Sequence, residues 1–347
     1  MSVIRSYFDS FKTDEFTNQI NEVENQYGYV NSKNYFNMKS TGQTAIIFDV
    51  NKHNITLLPQ VNRGDHSATQ GKERDVQTFA LKLAYFKHQD KLMTEDIQGW
   101  RQPGEEIQET LARATAEKLQ DMRMAADQTS EYMKLQAFKG VFKTPEGTTV
   151  ADMFTEFGVT QKQIDFVLGT TTTDVDAKIA ELKRYIAANV KQGGAISGVE
   201  VLVDPIFFDK LISHPQIRDA WKFYQNSGTQ RLRDDLADYM KWGVTDVFEH
   251  RGVRFLTYDA VFNLPNGTTE QAVADDTGHA YGLGVRDLFR GYNGPSNKLS
   301  QANQPGREMF VRQYVDPRDE FVDFELEMAP LYFCTKPASL VEVITSN

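Results

Sequence analysis

Two kinds of hydrophobic spacing run along this chain, and each predicts a different element. Around the polar stretch QVNRGDHSATQGKERDVQTF, residues 60–79, apolar residues recur at short spacing: Ile55, Leu57 and Leu58 before it, Phe79, Leu81, Leu83 and Tyr85 after it. Period-two alternation on both sides of a tip that carries Gly64 and Gly71 predicts a long β-hairpin. Two strands alone are marginal in water. Some other surface has to cover this ribbon.

Beyond it the period changes. From Glu105 to Lys139 no proline or glycine intervenes, and Ile107, Leu111, Thr115, Leu119, Met122, Ala126, Thr129 and Met133 follow at steps of three or four. This is one face of a helix, about 50 Å long at ~1.5 Å per residue. Glu105 and Glu106 suit the positive end of its dipole, Lys134 and Lys139 the negative end, and Gly140 supplies the stop. The stripe lacks a leucine heptad, which favours a strut with sheet packed along it over a coiled coil.

VFKTPEGTTVADMF reads as a hairpin turning at Pro145–Gly147. Val175, Ile179, Leu182, Ile186 and Val190 lie on one face of a second helix, and GVEVLVDP alternates as a strand into the Asp204–Pro205 pair that opens a third. A fourth, about 216–225, carries Ile217, Ala220, Trp221 and Tyr224, and VTDVFEHRGVRFLTYD turns at Arg251–Gly252. Residues 291–306, GYNGPSNKLSQANQPG, make a polar loop of functional length. Near the end Val322, Phe324, Leu326 and Met328 alternate with Asp323, Glu325 and Glu327, the pattern of a half-buried strand. Residues 1–44 are polar with scattered aromatics and suit an arm that gains order by packing on something else.

Composition narrows the function classes. The 347 residues carry a net charge of −10, which argues against free nucleic acid as the main ligand. Residues 41–93 are the exception, with seven lysines and arginines against five acidic residues, a slightly basic arm in an acidic chain. No run approaches a membrane span, and the N-terminus lacks the layout of a secretory signal, so the expected compartment is a cytoplasm. The single cysteine, Cys334, sits in an apolar stretch and reads as a core residue. The six histidines have no metal-ligand spacing, so no metal or cofactor is expected; His214, before Pro215, reads as structural. Gly282-x-Gly284 lacks a third glycine. Asp275, Asp276 and His279 could form an acid/base pair, but no nucleophile or oxyanion donor accompanies them and a solvated loop fits better. Arg63-Gly64-Asp65 reads as a turn. No catalytic constellation remains.

Six stretches in order carry a resemblance: LLPQVNRG with its polar tip, LMTEDIQGWR, EYMKLQAFKGVF, VLVDPIFFDKLISHPQIRDAW, FEHRGVRFLTYD and APLYFCTKPASLVEVI. From about Ala45 to the end the chain resembles the major capsid proteins of tailed bacteriophages, lambda E type. The resemblance implies an α+β Hong Kong 97-like fold: an N-terminal arm (1–44), an extended hairpin loop and its base (45–93), a peripheral domain with a spine helix (94–173), an axial domain (174–312) and a return to the peripheral domain (313–347). It implies a structural subunit that forms hexamers and pentamers of an icosahedral head around double-stranded DNA, with no enzymatic activity.

Under this reading the loop meets a neighbouring copy through Leu57, Leu58, Arg63, Gly64, Asp65, Lys72, Arg74, Phe79, Leu81, Leu83 and Tyr85. The spine helix packs through Ile107, Leu111, Leu119, Met122 and Met133. Expected partners are the chain itself, scaffolding, portal and decoration proteins, and packaged DNA by non-specific contact, with assembly in the host bacterial cytoplasm and no membrane. The alternatives are a nanocompartment shell of the same fold and, remotely, a monomeric enzyme using the 275–279 loop.

Overall fold

The computed structural model describes residues 28–51, 76–98, 107–190, 196–226, 239–240, 242–318 and 320–347. The frame is one helix, Ile107–Phe138. It ends where the pattern places the stop: Gly140 has φ +79, and a Cβ there would run into the Phe154 ring. In its first half the helix buries a stripe, Leu111, Ala114, Leu119, Met122 and Ala126. From Ser130 to Phe138 it is buried almost all round, because sheet now lies on more than one side.

The stripe is covered by a three-stranded antiparallel sheet in the order Phe310–Val315, Phe321–Met328, Phe86–Met93. Its helix-facing side chains are Val311, Val322, Phe324, Leu326, Met328 and Leu92. Alternation placed Val322, Phe324, Leu326 and Met328 inward, as observed. It also placed Glu325 and Glu327 in solvent, and there the expectation fails: both are 2% exposed. The polar face of the strand is roofed by the 294–309 loop.

A six-stranded mixed sheet forms the second body, in the order Lys162–Asp165, Val341–Ile344, Thr277–Leu283, Gly198–Val203, Val253–Tyr258, Val244–His250. Helices Val175–Asn189, Pro205–Ser213 and Pro215–Asn226 cover one face, where Val199, Val201, Val203, Phe255, Phe166 and Ile179 form a core. Asp204 caps its helix by accepting from the Ile206 N–H at 2.8 Å. The hairpin turn at Arg251–Gly252 has φ +52 and +75, both left-handed, as the tight turn between twisted strands requires. Leu202, Leu256, Tyr258 and Tyr281 point the other way, toward the buried end of the long helix. Gly198–Val203 is thus a central strand covered on both faces, and its one acidic residue, Glu200, is buried rather than wet.

A third sheet, Phe36–Ser40, Phe289–Asn293, Pro330–Cys334, closes the end of the helix. Phe36 stacks on Phe138 at 5.9 Å between centroids, and Phe289 meets Phe138 at 4.6 Å. Cys334 is fully buried in this core, and burial pushes its thiol up to about 12. Short hairpins Val141–Lys143/Thr149–Asp152 and Val261–Asn263/Thr269–Gln271 complete the described sheets with the ribbon Ala45–Asn51/Val76–Lys82.

Candidate assembly surface and its charged anchors

The ribbon base differs in place from the sequence reading. Among the described residues its paired strands are Ala45–Asn51 and Val76–Lys82, so the returning strand read over 79–85 begins earlier, at Val76, and leaves its partner after Lys82; the segment 55–58 lies outside the described residues. The last bond between the two strands runs from Leu83 N–H to Thr44 O at 3.1 Å; Ala84 N–H then bonds Pro330 O at 3.2 Å, handing the chain to another sheet. Ile55, Leu57, Leu58, Arg63, Gly64, Asp65, Lys72 and Arg74 lie outside the described residues.

Strand alternation gives the base two faces. Ile46, Phe48, Phe79 and Leu81 turn inward onto the chain's own body: Phe48 meets Phe333 at 4.5 Å and Phe79 meets Phe157 at 5.2 Å. Within the subunit Leu81 is buried and Phe79 is partly buried against the chain's own body. Leu83 is partly buried on the same core, and Tyr85 is exposed. The opposite face carries Ile47, 69% exposed, with Thr78 and Ala80 exposed beside it. Of the helix residues, Leu111, Leu119, Met122 and Met133 are buried; Ile107 opens the helix.

The 294–309 loop is fastened by buried charge. Lys87 and Lys298 both clamp Glu325, at 2.6 and 2.5 Å. Burial pushes the Glu325 carboxyl up, but the two lysine hydrogen bonds prevail and hold it at about 2. Glu327 accepts from the Ser296 hydroxyl and pairs with Arg312 at 3.6 Å, while Arg312 also donates to Gln301 at 2.7 Å. At the far end Glu308 reaches Arg123 of the long helix, itself bound to Asp127 at 2.9 Å. Above these anchors Leu299 is 98% exposed, and Tyr314 is exposed beneath the Lys298 ammonium at 5.5 Å.

The 275–279 segment is a structural turn. Asp276, at φ +58, pairs with Lys210 at 2.7 Å, and its N–H donates to Asp204. His279 lies within a strand, opposite Leu202 and Glu342. His214 is buried, its Nε2 3.2 Å from Thr170 O, at the junction between two helices. Among the described residues no helix is long and apolar enough to cross a membrane.

Residues 12–345 match the family model of the phage major capsid protein E. The chain belongs to that family. The major capsid protein of Salmonella phage Felix O1 (isolate Felix O1-VT1) is 33% identical over 349 residues, covering 95% of each chain. That of Pseudomonas phage KPP10 is 29% identical, covering 94% of this chain and 95% of its own. Among solved structures, a prophage capsid protein from E. coli CFT073 superposes with a TM-score of 0.63 at 13% identity, covering 97% of this chain and 99% of that one. The capsid of Cyanophage P-SCSP1u gives 0.51 at 10% identity, covering 94% and 90%. These likenesses bear on the fold, which is the α+β Hong Kong 97-like capsid fold expected from the sequence. As a phage major capsid protein the chain is a structural subunit of the virion that assembles with its own copies into a shell, and its family points to a building role rather than to an enzyme.

Proposed function

We propose that this capsid subunit builds an icosahedral head from hexamers and pentamers around double-stranded DNA, and that the hairpin is the element each copy lends to its neighbour. The observation that carries this reading is the two-faced base. One face packs on the subunit's own core, while Ile47 and Ala80 are exposed on the other. A large exposed aliphatic on a strand pair is a liability for a solitary protein and an asset for one that meets copies of itself. The segment 52–75, which joins the two base strands, continues that contact, with Leu57, Leu58, Arg63, Gly64, Asp65, Lys72 and Arg74 at the neighbour; Tyr85 flanks it.

The described body supports the division into arm, loop, peripheral and axial parts. The axial part is built on the six-stranded sheet and borrows two strands, Lys162–Asp165 and Val341–Ile344, from outside 174–312. Scaffolding, portal and decoration proteins and non-specific contact with packaged DNA complete the proposed set of partners, with assembly in the host cytoplasm. Two variants test it: Ile47→Asp, and a deletion between Asn62 and Asp75. Both are expected to give soluble subunits with unchanged circular dichroism that form few or no shells by electron microscopy. Normal yields of shells from both would overturn the hairpin's role.

A further inference from the structure

The segment 28–35, within the stretch read as the N-terminal arm, is tied down by two buried carboxylates that belong to different bodies of the fold. The helical turn Tyr29–Ser32 lies on a face of the long helix formed by Asp127, Glu131 and Lys134, one turn apart from each other. Glu131, 2% exposed, accepts from the Val30 and Asn31 N–H groups at 2.8 and 2.7 Å. Asn31 Nδ2 donates to Asp127 O at 3.0 Å, and Lys134 Nζ donates to Asn31 Oδ1 at 2.5 Å. The approach is so close that Gly28, at φ +102, has room for no Cβ: one built there would stand 2.5 Å from the Glu131 carboxylate.

The same segment reaches the six-stranded sheet on its other side. Tyr29 and Tyr35 hydroxyls donate to Glu200 Oε1 at 2.8 and 2.7 Å, beside the Tyr281 hydroxyl, which donates to the same oxygen at 2.5 Å. Glu200 is 1% exposed in the middle of the central strand. In the reverse sense Tyr258, from the neighbouring strand, donates across to Glu131 at 2.8 Å. Rings fill the space between: Tyr29 lies 6.1 Å from Tyr258, and Tyr35 lies 5.8 Å from Phe138 and 5.7 Å from Tyr281. Lys33 caps the assembly 4.0 Å over the Tyr239 ring.

A donor count gives the consequence. With the segment docked, Glu131 accepts two backbone N–H groups and one tyrosine hydroxyl, and Glu200 accepts three tyrosine hydroxyls. With it withdrawn, Tyr258 alone serves the first and Tyr281 alone the second. A buried carboxylate stripped of donors is costly, so the carboxylates must then take up water where the strap lay, and the joint between helix and sheet that the strap fills is loosened. We propose that residues 28–35 are a strap whose docking and the fit of long helix to six-stranded sheet form one cooperative unit, so that whatever docks or releases this segment also resets the angle between the two bodies. The strap is a conformational device of the subunit and stands independently of the hairpin's role in assembly.

The test perturbs one end of the strap and reads the other. Asn31→Ala removes bonds that run to the long helix. By hydrogen–deuterium exchange mass spectrometry on the full chain, it is expected to raise exchange about tenfold in 198–203 and 277–283 as well as in 28–35 and 126–138. The sheet 86–93/321–328 serves as the internal control and stays unchanged. Tyr35→Phe, which acts at the Glu200 end, is expected to raise exchange in the same set of segments, including 126–134 of the helix. Should Gly28→Ala, the strongest perturbation, fail to fold, these two milder variants still decide. Exchange that rises only in 28–35 and the element directly touched, or that does not change, overturns the coupling.

Discussion

The six-stranded sheet and the central strand of the sheet 310–315/321–328/86–93 are both covered on their two faces, but with different materials. The first is roofed by amphipathic helices whose apolar residues meet Val201, Phe255 and Phe166. The second is apolar only toward the long helix; its other face is a row of charges, Lys87, Arg312, Glu325 and Glu327, roofed by a polar loop. Apolar burial is non-directional and tolerates small shifts of packing. Charged burial holds only while each ion keeps its partners, so it fixes the 294–309 loop in one place and fails sharply when a partner is lost.

The largest expected effect is in the apolar roof. Phe255→Ala, at a fully buried position, is expected to cost about 3–5 kcal/mol in urea unfolding. A loss near zero would mean that the helices do not hold that face. Next, Glu327→Ala takes the carboxylate from the buried Arg312 guanidinium, leaving it hydrogen bonds to neutral groups, and releases Ser296; a loss of about 3 kcal/mol is expected, with new protease cleavage between 294 and 309. If the loop stays resistant, the charges do not fasten it.

The smallest effect concerns pH. The Glu325 carboxyl is held at about 2, below the ordinary glutamate range of ~4.3, so it stabilises the fold above that range and the contribution is lost as pH falls from there toward 2. Lys298→Met should lower stability at neutral pH and flatten this acid limb, by denaturation curves taken across it. An unchanged acid limb would show that Lys298 is not what depresses the carboxyl.

The same contrast explains what was legible in the sequence. The long helix, its stop at Gly140, the Asp204–Pro205 helix start, the Arg251–Gly252 turn and the Val175 stripe were all readable, because local spacing and backbone preference determine them. The polar anchors were not. Glu325 and Glu327 alternate as a solvent face would, and their roof comes from residues about 20–30 positions away with no apolar signal of its own. Glu131 and Glu200 were missed for a related reason: their partners are tyrosine hydroxyls and backbone N–H groups from distant segments. The available hints were a lone acid inside GVEVLV and the helical spacing of Arg123, Asp127 and Glu131 beside an apolar stripe. The ribbon's returning strand was read too far, to Tyr85, because alternation continues past Lys82 after the chain has left its partner strand.

Cryo-electron microscopy of the assembled shell decides what covers the ribbon. Closed particles are expected in which a neighbouring copy lies against Ile47 and Ala80, while Phe48 and Phe79 stay on their own core. Shells in which that face of the ribbon stands open to solvent, with the subunits joined elsewhere, would contradict it.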